Sequence, residues 1–361
     1  MNGQRLLSLL NDPLQPQQPT LGEWDRLVRI ARLGSVASLL HARYEAAGAL
    51  DTLPAPVARQ LRSERTIAEY RIAMTRWNLQ HLAEILGPLG TELILLKGSA
   101  YVAQDAPWGR GRLTSDVDLL VRASQIGRAE AALRAAGWRF GEITDYDERY
   151  FREWSHELPP LMHPERPLPV DLHHTILPVT SRLRPDAAAL VEASVALPGT
   201  PLRVLAAYDQ LLHTCCHLFE DSDMWHQLRD LLDLGAMLRL HHGEPGFDDR
   251  LAESAARHGL HRPLHYGLRY ARRLLGAPVP ERAAREAAAR AQPSRPTTVL
   301  MDALVVRSLL PAEPDQPVAA SRRWAKRALR ARYFARRFPP RLLALHLWTK
   351  LFRTSRAAAL G

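Results

Sequence analysis

Cysteine is nearly absent from these 361 residues: Cys215 and Cys216 are the only two, and they are neighbours. Adjacent cysteines cannot form an ordinary cross-linking disulfide, and two are too few for a four-cysteine zinc site, which excludes a disulfide-stapled scaffold and a zinc ribbon. A reducing compartment is expected. Also missing is any uncharged apolar stretch near the ~20 residues that a membrane-spanning helix needs. The opening "MNGQRLLSLLNDPLQPQQPT" turns polar and proline-rich before a secretory apolar core develops, so a cytoplasmic location is expected. Acid is missing from one region altogether. Residues 321–361 hold twelve Lys or Arg and no Asp or Glu, which leaves 36 basic against 38 acidic residues elsewhere. The net charge of +10 therefore belongs to the tail, and the body is near neutral.

What is present is apolar material in plenty. The apolar fraction is 46%, enough at this length for a large core divided among two or three units. Between residues 21 and 90, Ala, Leu and Arg recur at three- and four-residue spacing, which predicts several amphipathic helices. The texture then changes. "ELILLKG" and "SDVDLLVR" are short apolar runs, and "SQIGRAEAALRAAGW" predicts a helix with Ser124 as N-cap and Gly137 as C-cap. "SHELPPLM" and "LPVDLHHTI" predict two strands about a turn at "HPERP", with Pro159, Pro160 and Pro169 pushing at least one of them toward a sheet edge. From Pro201 onward the pattern is helical again. The expectation is an α+β chain: an N-terminal helical region over 1–85, a small mixed-sheet module over 86–180, a helical region packing on it over 181–275, and a basic helical extension over 276–361.

In a strand, side chains alternate faces, so Asp116 and Asp118 point one way while Val117, Leu119 and Val121 point the other. Two neighbouring carboxylates repel unless a cation sits between them, and ligation by oxygen alone suits Mg²⁺. Asp171, flanked by Val170 and Leu172 on another predicted strand, is a third candidate for the same face. Three carboxylates can hold two ions, Mg²⁺ or Mn²⁺, one activating an attacking oxygen and one clamping a triphosphate. Upstream, Gly98 lets backbone approach a phosphate and Ser99 adds a hydroxyl at a helix start. Lys97, Arg110 and Arg112 are cations near enough in sequence to neutralise the remaining phosphate charge.

The run "KGS", then "SDVDLLV", then a lone Asp on a strand resembles the nucleotidyltransferase fold of DNA polymerase β-like enzymes. The longer pattern "LLKGSAY…GRGRLTSDVDLLV", "VDLHH" and "LLHTCCH…LRDLLDL" resembles the bacterial uncharacterised nucleotidyltransferase family over residues 25 to 275. That resemblance implies metal binding at Asp116, Asp118 and Asp171 and phosphate binding by Gly98 and Ser99, and with Lys97, Arg112 and Ser115 these two make up the candidate nucleotide-binding set. The implied activity is transfer of a nucleoside monophosphate from an NTP to an acceptor the sequence does not name. Two alternatives stay open: a transferase that adds AMP to proteins, and a non-catalytic accessory protein of a cell-envelope or natural-product pathway.

Other features have plainer readings beside the sharp ones. His173 falls on the face of Asp171 and would orient it, touch substrate or simply pack. His213 and His217, with Asp221 further along the same helix face, have metal-ligand spacing, but packing against the module explains them as well. Asp230 and Asp233, at helical spacing, read as solvated or capping residues, or as acids reaching toward the cleft. The tail mixes Arg with Trp, Tyr, Phe and Leu, and Pro339 and Pro340 should split it into two helices. It suits an anionic membrane face, nucleic acid, or packing on the body with its arginines in solvent.

Overall fold

The computed structural model describes residues 2–220 and 227–357. Four helices lead: Asn2–Asn11, Leu21–Leu33, Ala37–Ala46 and Ala55–Leu86. The second opens on a reciprocal cap, in which the Thr20 hydroxyl accepts from the Glu23 amide and Glu23 accepts from the Thr20 amide. Two otherwise orphaned donors are satisfied that way, and the helix then buries Trp24, Leu27, Val28 and Ala31 along one face. The 32-residue helix Ala55–Leu86 starts with Pro56 in its first turn, where a missing amide costs nothing. It joins two cores. Its first turns bury Val57, Ala58 and Leu61 among the leading helices, and its last turns bury Leu79, Leu82 and Leu86 against a sheet.

That sheet has seven strands: β1 (Leu93–Leu95), β2 (Val117–Leu120), β3 (Arg139–Phe140), β4 (Leu161–His163), β5 (Arg166–His173), β6 (Val195–Ala196) and β7 (Leu202–Val204). Their order is β3-β4-β5-β2-β1-β7-β6. The pairs β2·β5 and β1·β7 are parallel and the others antiparallel, so the fold is α+β with a mixed sheet and helices at both ends of the chain. Alternation sorts the side chains as period two requires. Leu93, Leu95, Val117, Leu119, Val121, Val170 and Leu172 join the core under the long helix and the helix Ile126–Ala135, whereas Ile94 and Leu120 join the larger helical core on the other side. Asp116 and Asp118 share the face of Leu120.

Three expectations change. The sheet continues past residue 180, because β6 and β7 lie within the segment read as helical, and strands of two and three residues carry too little alternation to register. Neither β4 nor β5 is an edge strand. The prolines are accommodated by register instead, since β2 pairs only with Val170–His173, and Pro167 and Pro169 lie ahead of that ladder. The buried Asn78 side chain donates to the Leu168 carbonyl (3.1 Å) in this stretch. Finally, Ser124 is not an N-cap. It sits in a turn of 3₁₀ helix, and the helix Ile126–Ala135 is entered from Gln125 without a side-chain cap.

The helices Ala207–Phe219, Gln227–Leu240, Phe247–Arg257 and His261–Leu275 form the larger body, followed by Glu281–Ala291 and Arg295–Leu309. The tail is two helices, Ala320–Arg337 and Pro340–Ala357, broken at the expected prolines. Leu329, Tyr333 and Phe338 are buried, and Arg332 and Arg336 both reach Glu220 (3.4 and 3.0 Å). Trp324 and Trp348 are more than half exposed. Of the described residues, no helix is long and apolar enough to cross a membrane.

Candidate active site

Parallel pairing of β2 with β5 makes Asp118 and Asp171 direct partners in register, so their carboxylates stand side by side on one face of the sheet. Asp116 precedes β2 by one residue, and exposed Ser115 precedes it in turn. The three acids are electrically unequal. Asp118 is buried and its Oδ1 accepts from Lys97 Nζ at 3.0 Å, with His173 Nε2 also at 3.0 Å. Burial works against its charge, but Lys97 and the hydrogen bond from His173 hold it well below the ordinary carboxylate range. Asp171 has no such help. Its Oδ1 is buried without a hydrogen-bond partner, and burial, then the charges of Asp118 and Glu157, push its pKa up to about 8. Asp116 is pushed up too, by burial and then by Asp118.

One acid is fixed as an anion while two are driven toward protonation, which is how a carboxylate cluster short of positive charge behaves. The orphaned Asp171 oxygen is the more telling sign, since leaving a buried polar atom unmade costs about 1–3 kcal/mol. Oxygen donors in this arrangement fit a hard divalent cation, and Asp116, Asp118 and Asp171 are the residues that would hold it.

The turn from β1 into the helix Lys97–Ala103 is tight. Lys97 takes a left-handed φ of 46°, a conformation a side-chain-bearing residue adopts at some cost, and its ammonium is thereby brought to Asp118. The Ser99 hydroxyl is buried and donates to the Leu96 carbonyl (2.7 Å), so it ties down this turn. Gly98 lies beneath Arg112. A Cβ there would sit 2.1 Å from the Arg112 Nη1 and 2.9 Å from the Thr114 Oγ1.

Arg112 is buried, stacks over Tyr101, and bonds Asp233 (2.6 Å) and Asp230 (3.4 Å). Asp230 also accepts from Arg229 (3.2 Å) and has His217 Nδ1 at 3.0 Å, while Arg229 donates to the Leu113 carbonyl (3.1 Å). Asp230 and Asp233 are thus buried partners of arginine, not solvated residues, and they clamp the segment before Asp116 to the helix Gln227–Leu240. Arg110 remains exposed. Among the sequence candidates, then, Lys97, Asp116, Asp118 and Asp171 converge, Ser115 borders them, and Gly98, Ser99 and Arg112 build the wall.

His213 and His217 part ways. His217 serves Asp230, while buried His213 is held well below the usual histidine pKa by burial and then by the charge of Lys97. Asp221 lies outside the described residues. Sequence reasoning missed His156 and Glu157. The segment "SHEL" runs antiparallel to the end of β5, with Glu157 bridging to His173 and backbone bonds Leu158 to Leu172 (2.9 Å) and His174 to His156 (2.9 Å). The available signal was "SHEL" standing opposite "DLHH" across a turn.

A family model described as uncharacterised nucleotidyltransferase matches residues 21–276. The chain belongs to that family. No curated protein and no solved structure matches it. The matched span takes in all seven strands, both core faces of the sheet and every residue of the acidic face. It ends before the basic tail.

Proposed function

We propose that this nucleotidyltransferase moves a nucleoside monophosphate from an NTP to an acceptor, with Asp116, Asp118 and Asp171 holding two divalent cations, Mg²⁺ or Mn²⁺. The observation that carries the reading is the in-register pairing of Asp118 with Asp171, whose buried Oδ1 has no hydrogen-bond partner. Bound there, the cations would supply activation of the attacking oxygen and neutralisation of phosphate charge. The protein's own groups do the positioning. Lys97 holds Asp118 as an anion and retains an exposed edge from which to meet a phosphate, as does Ser115. Gly98, Ser99 and Arg112 contribute by fixing the turn behind that seat. In the transfer, the acceptor oxygen bonds to the α-phosphorus, the bond to the bridging oxygen breaks, and pyrophosphate leaves.

Buried free thiols at Cys215 and Cys216 support a cytoplasmic setting, where NTP is also at hand. The tail's exposed Trp324 and Trp348, among basic residues, support peripheral contact with an anionic membrane face. Incubating the protein with each radiolabelled NTP and Mg²⁺ in cell extract tests the activity. Label should move to one class of molecule and stop moving in Asp118→Asn. Label on a protein would make this an AMP-adding enzyme. No labelled product under any NTP would favour the accessory role.

A further inference from the structure

His156, Glu157 and His173 offer one ligand atom each within 4.8 Å of one another, the one such group of His, Cys or carboxylates among the described residues. The two Nε2 atoms converge on a single carboxylate oxygen. His156 Nε2 is 3.5 Å and His173 Nε2 is 3.3 Å from Glu157 Oε2, and Asp118 Oδ1 stands 3.0 Å from the same His173 nitrogen. We propose that these residues form a second metal site, distinct in chemistry from the aspartate face, which takes a borderline divalent ion such as Zn²⁺ or Co²⁺ through two imidazoles and a carboxylate.

The spacing argues for this. Zinc binds histidine nitrogen and carboxylate oxygen at about 2.0–2.2 Å in a tetrahedron, whose edge is therefore about 3.3–3.6 Å. The separations of both Nε2 atoms from Glu157 Oε2 fall in that range, so those two edges already have the length an ion would require. Backbone pairing supplies the rigidity, since the bridge between Glu157 and His173 and the flanking bonds hold both sides of the cluster in one ladder. Nδ1 of His156 and of His173 is buried without a partner, so each ring would carry its proton there once Nε2 binds the ion, and the ion has to offset that unpaired N–H. His173 is fully buried. Mixed nitrogen and oxygen donors select against Mg²⁺, which prefers oxygen alone, and in favour of later first-row ions. Asp118 lies at the boundary between the two sites. An ion on His173 Nε2 would replace the hydrogen bond that this nitrogen gives Asp118 Oδ1, leaving that oxygen to Lys97 and to the aspartate face.

The test needs no nucleotide and so stands apart from the proposed transfer. The full-length protein, stripped of metal, is titrated with Co²⁺ in excess Mg²⁺ and followed by visible ligand-field absorption. One equivalent should bind, be displaced by Zn²⁺, and raise the melting temperature. His156→Ala and Glu157→Gln should each weaken Co²⁺ at least about tenfold, while Asp171→Asn retains it. Absence of saturable Co²⁺ absorption in the unaltered protein would overturn the proposal, whatever the variants do. So would equal Co²⁺ affinity in folded His156→Ala and Glu157→Gln.

Discussion

Gly98→Ala is expected to destabilise the protein through a residue fourteen positions away. The added methyl would lie 2.1 Å from Arg112 Nη1, well inside contact, and Gly98 itself has no left-handed φ that would penalise alanine. Arg112 must retreat. Its bonds to Asp233 (2.6 Å) and Asp230 (3.4 Å) are the casualties. A charge-assisted hydrogen bond is worth about 1.5–3 kcal/mol, so a retreat that keeps one partner should cost about that much. Full expulsion would leave Asp233 buried and unpaired, at about 3–5 kcal/mol, which is also the expected cost of Arg112→Ala alone. Introducing Gly98→Ala into Arg112→Ala removes the main clash. The second substitution should then cost little, giving a coupling of about 1.5–3 kcal/mol between sites that independent residues would not show. Urea denaturation of the two single variants and the double variant, with the slopes compared, measures this. Additivity within about 0.5 kcal/mol would refute the reasoning. A loss of nucleotide affinity with stability intact would instead assign Gly98 to phosphate approach alone.

Replacing Asp118 or Asp171 with Asn should abolish Mg²⁺-dependent NTP turnover. Stability should diverge between them, because Asp118→Asn removes the carboxylate that Lys97 and His173 bond while Asp171→Asn removes an uncompensated buried acid; turnover together with melting temperature checks both, and activity in either variant would refute the role. Asp171 keeps a proton in the folded state up to about pH 8, whereas the unfolded chain loses it near 3.9, so its contribution to stability falls as pH rises between those values. A divalent cation needs the ionised form, and its binding near pH 7 should release protons and tighten as pH rises toward 8. Calorimetry in buffers of different ionisation heat reads this, and cation binding without proton release would contradict it. Ending the chain at Asp315 removes buried Leu329, Tyr333 and Phe338 and the arginines on Glu220, so the melting temperature should drop. Sedimentation with anionic liposomes and with RNA, across a salt series, separates a membrane-binding tail from a nucleic-acid-binding one, and binding to neither marks it as purely structural.

How far the sequence could be read depended on the range of the forces involved. Period-two alternation is local, which is why the shared face of Asp116 and Asp118 and the opposite burial of Val117, Leu119 and Val121 were legible from seven residues. Capping is local as well, and Thr20 with Glu23 was there to be read. Charge pairing is not local. Arg112 carried the same sequence signal as exposed Arg110, and only the helix 121 residues further on, with Asp233, decides that one is a buried strut and the other faces solvent. Asp230 looked solvated for the same reason. The tail makes the point with the opposite sign. Its twelve basic residues were counted as free charge, yet Arg332 and Arg336 are held by Glu220, an acid about a hundred residues earlier. A net charge read from composition is thus an upper bound on what a partner would feel, and whatever binds this tail must be recognised by the arginines and tryptophans that folding leaves outside.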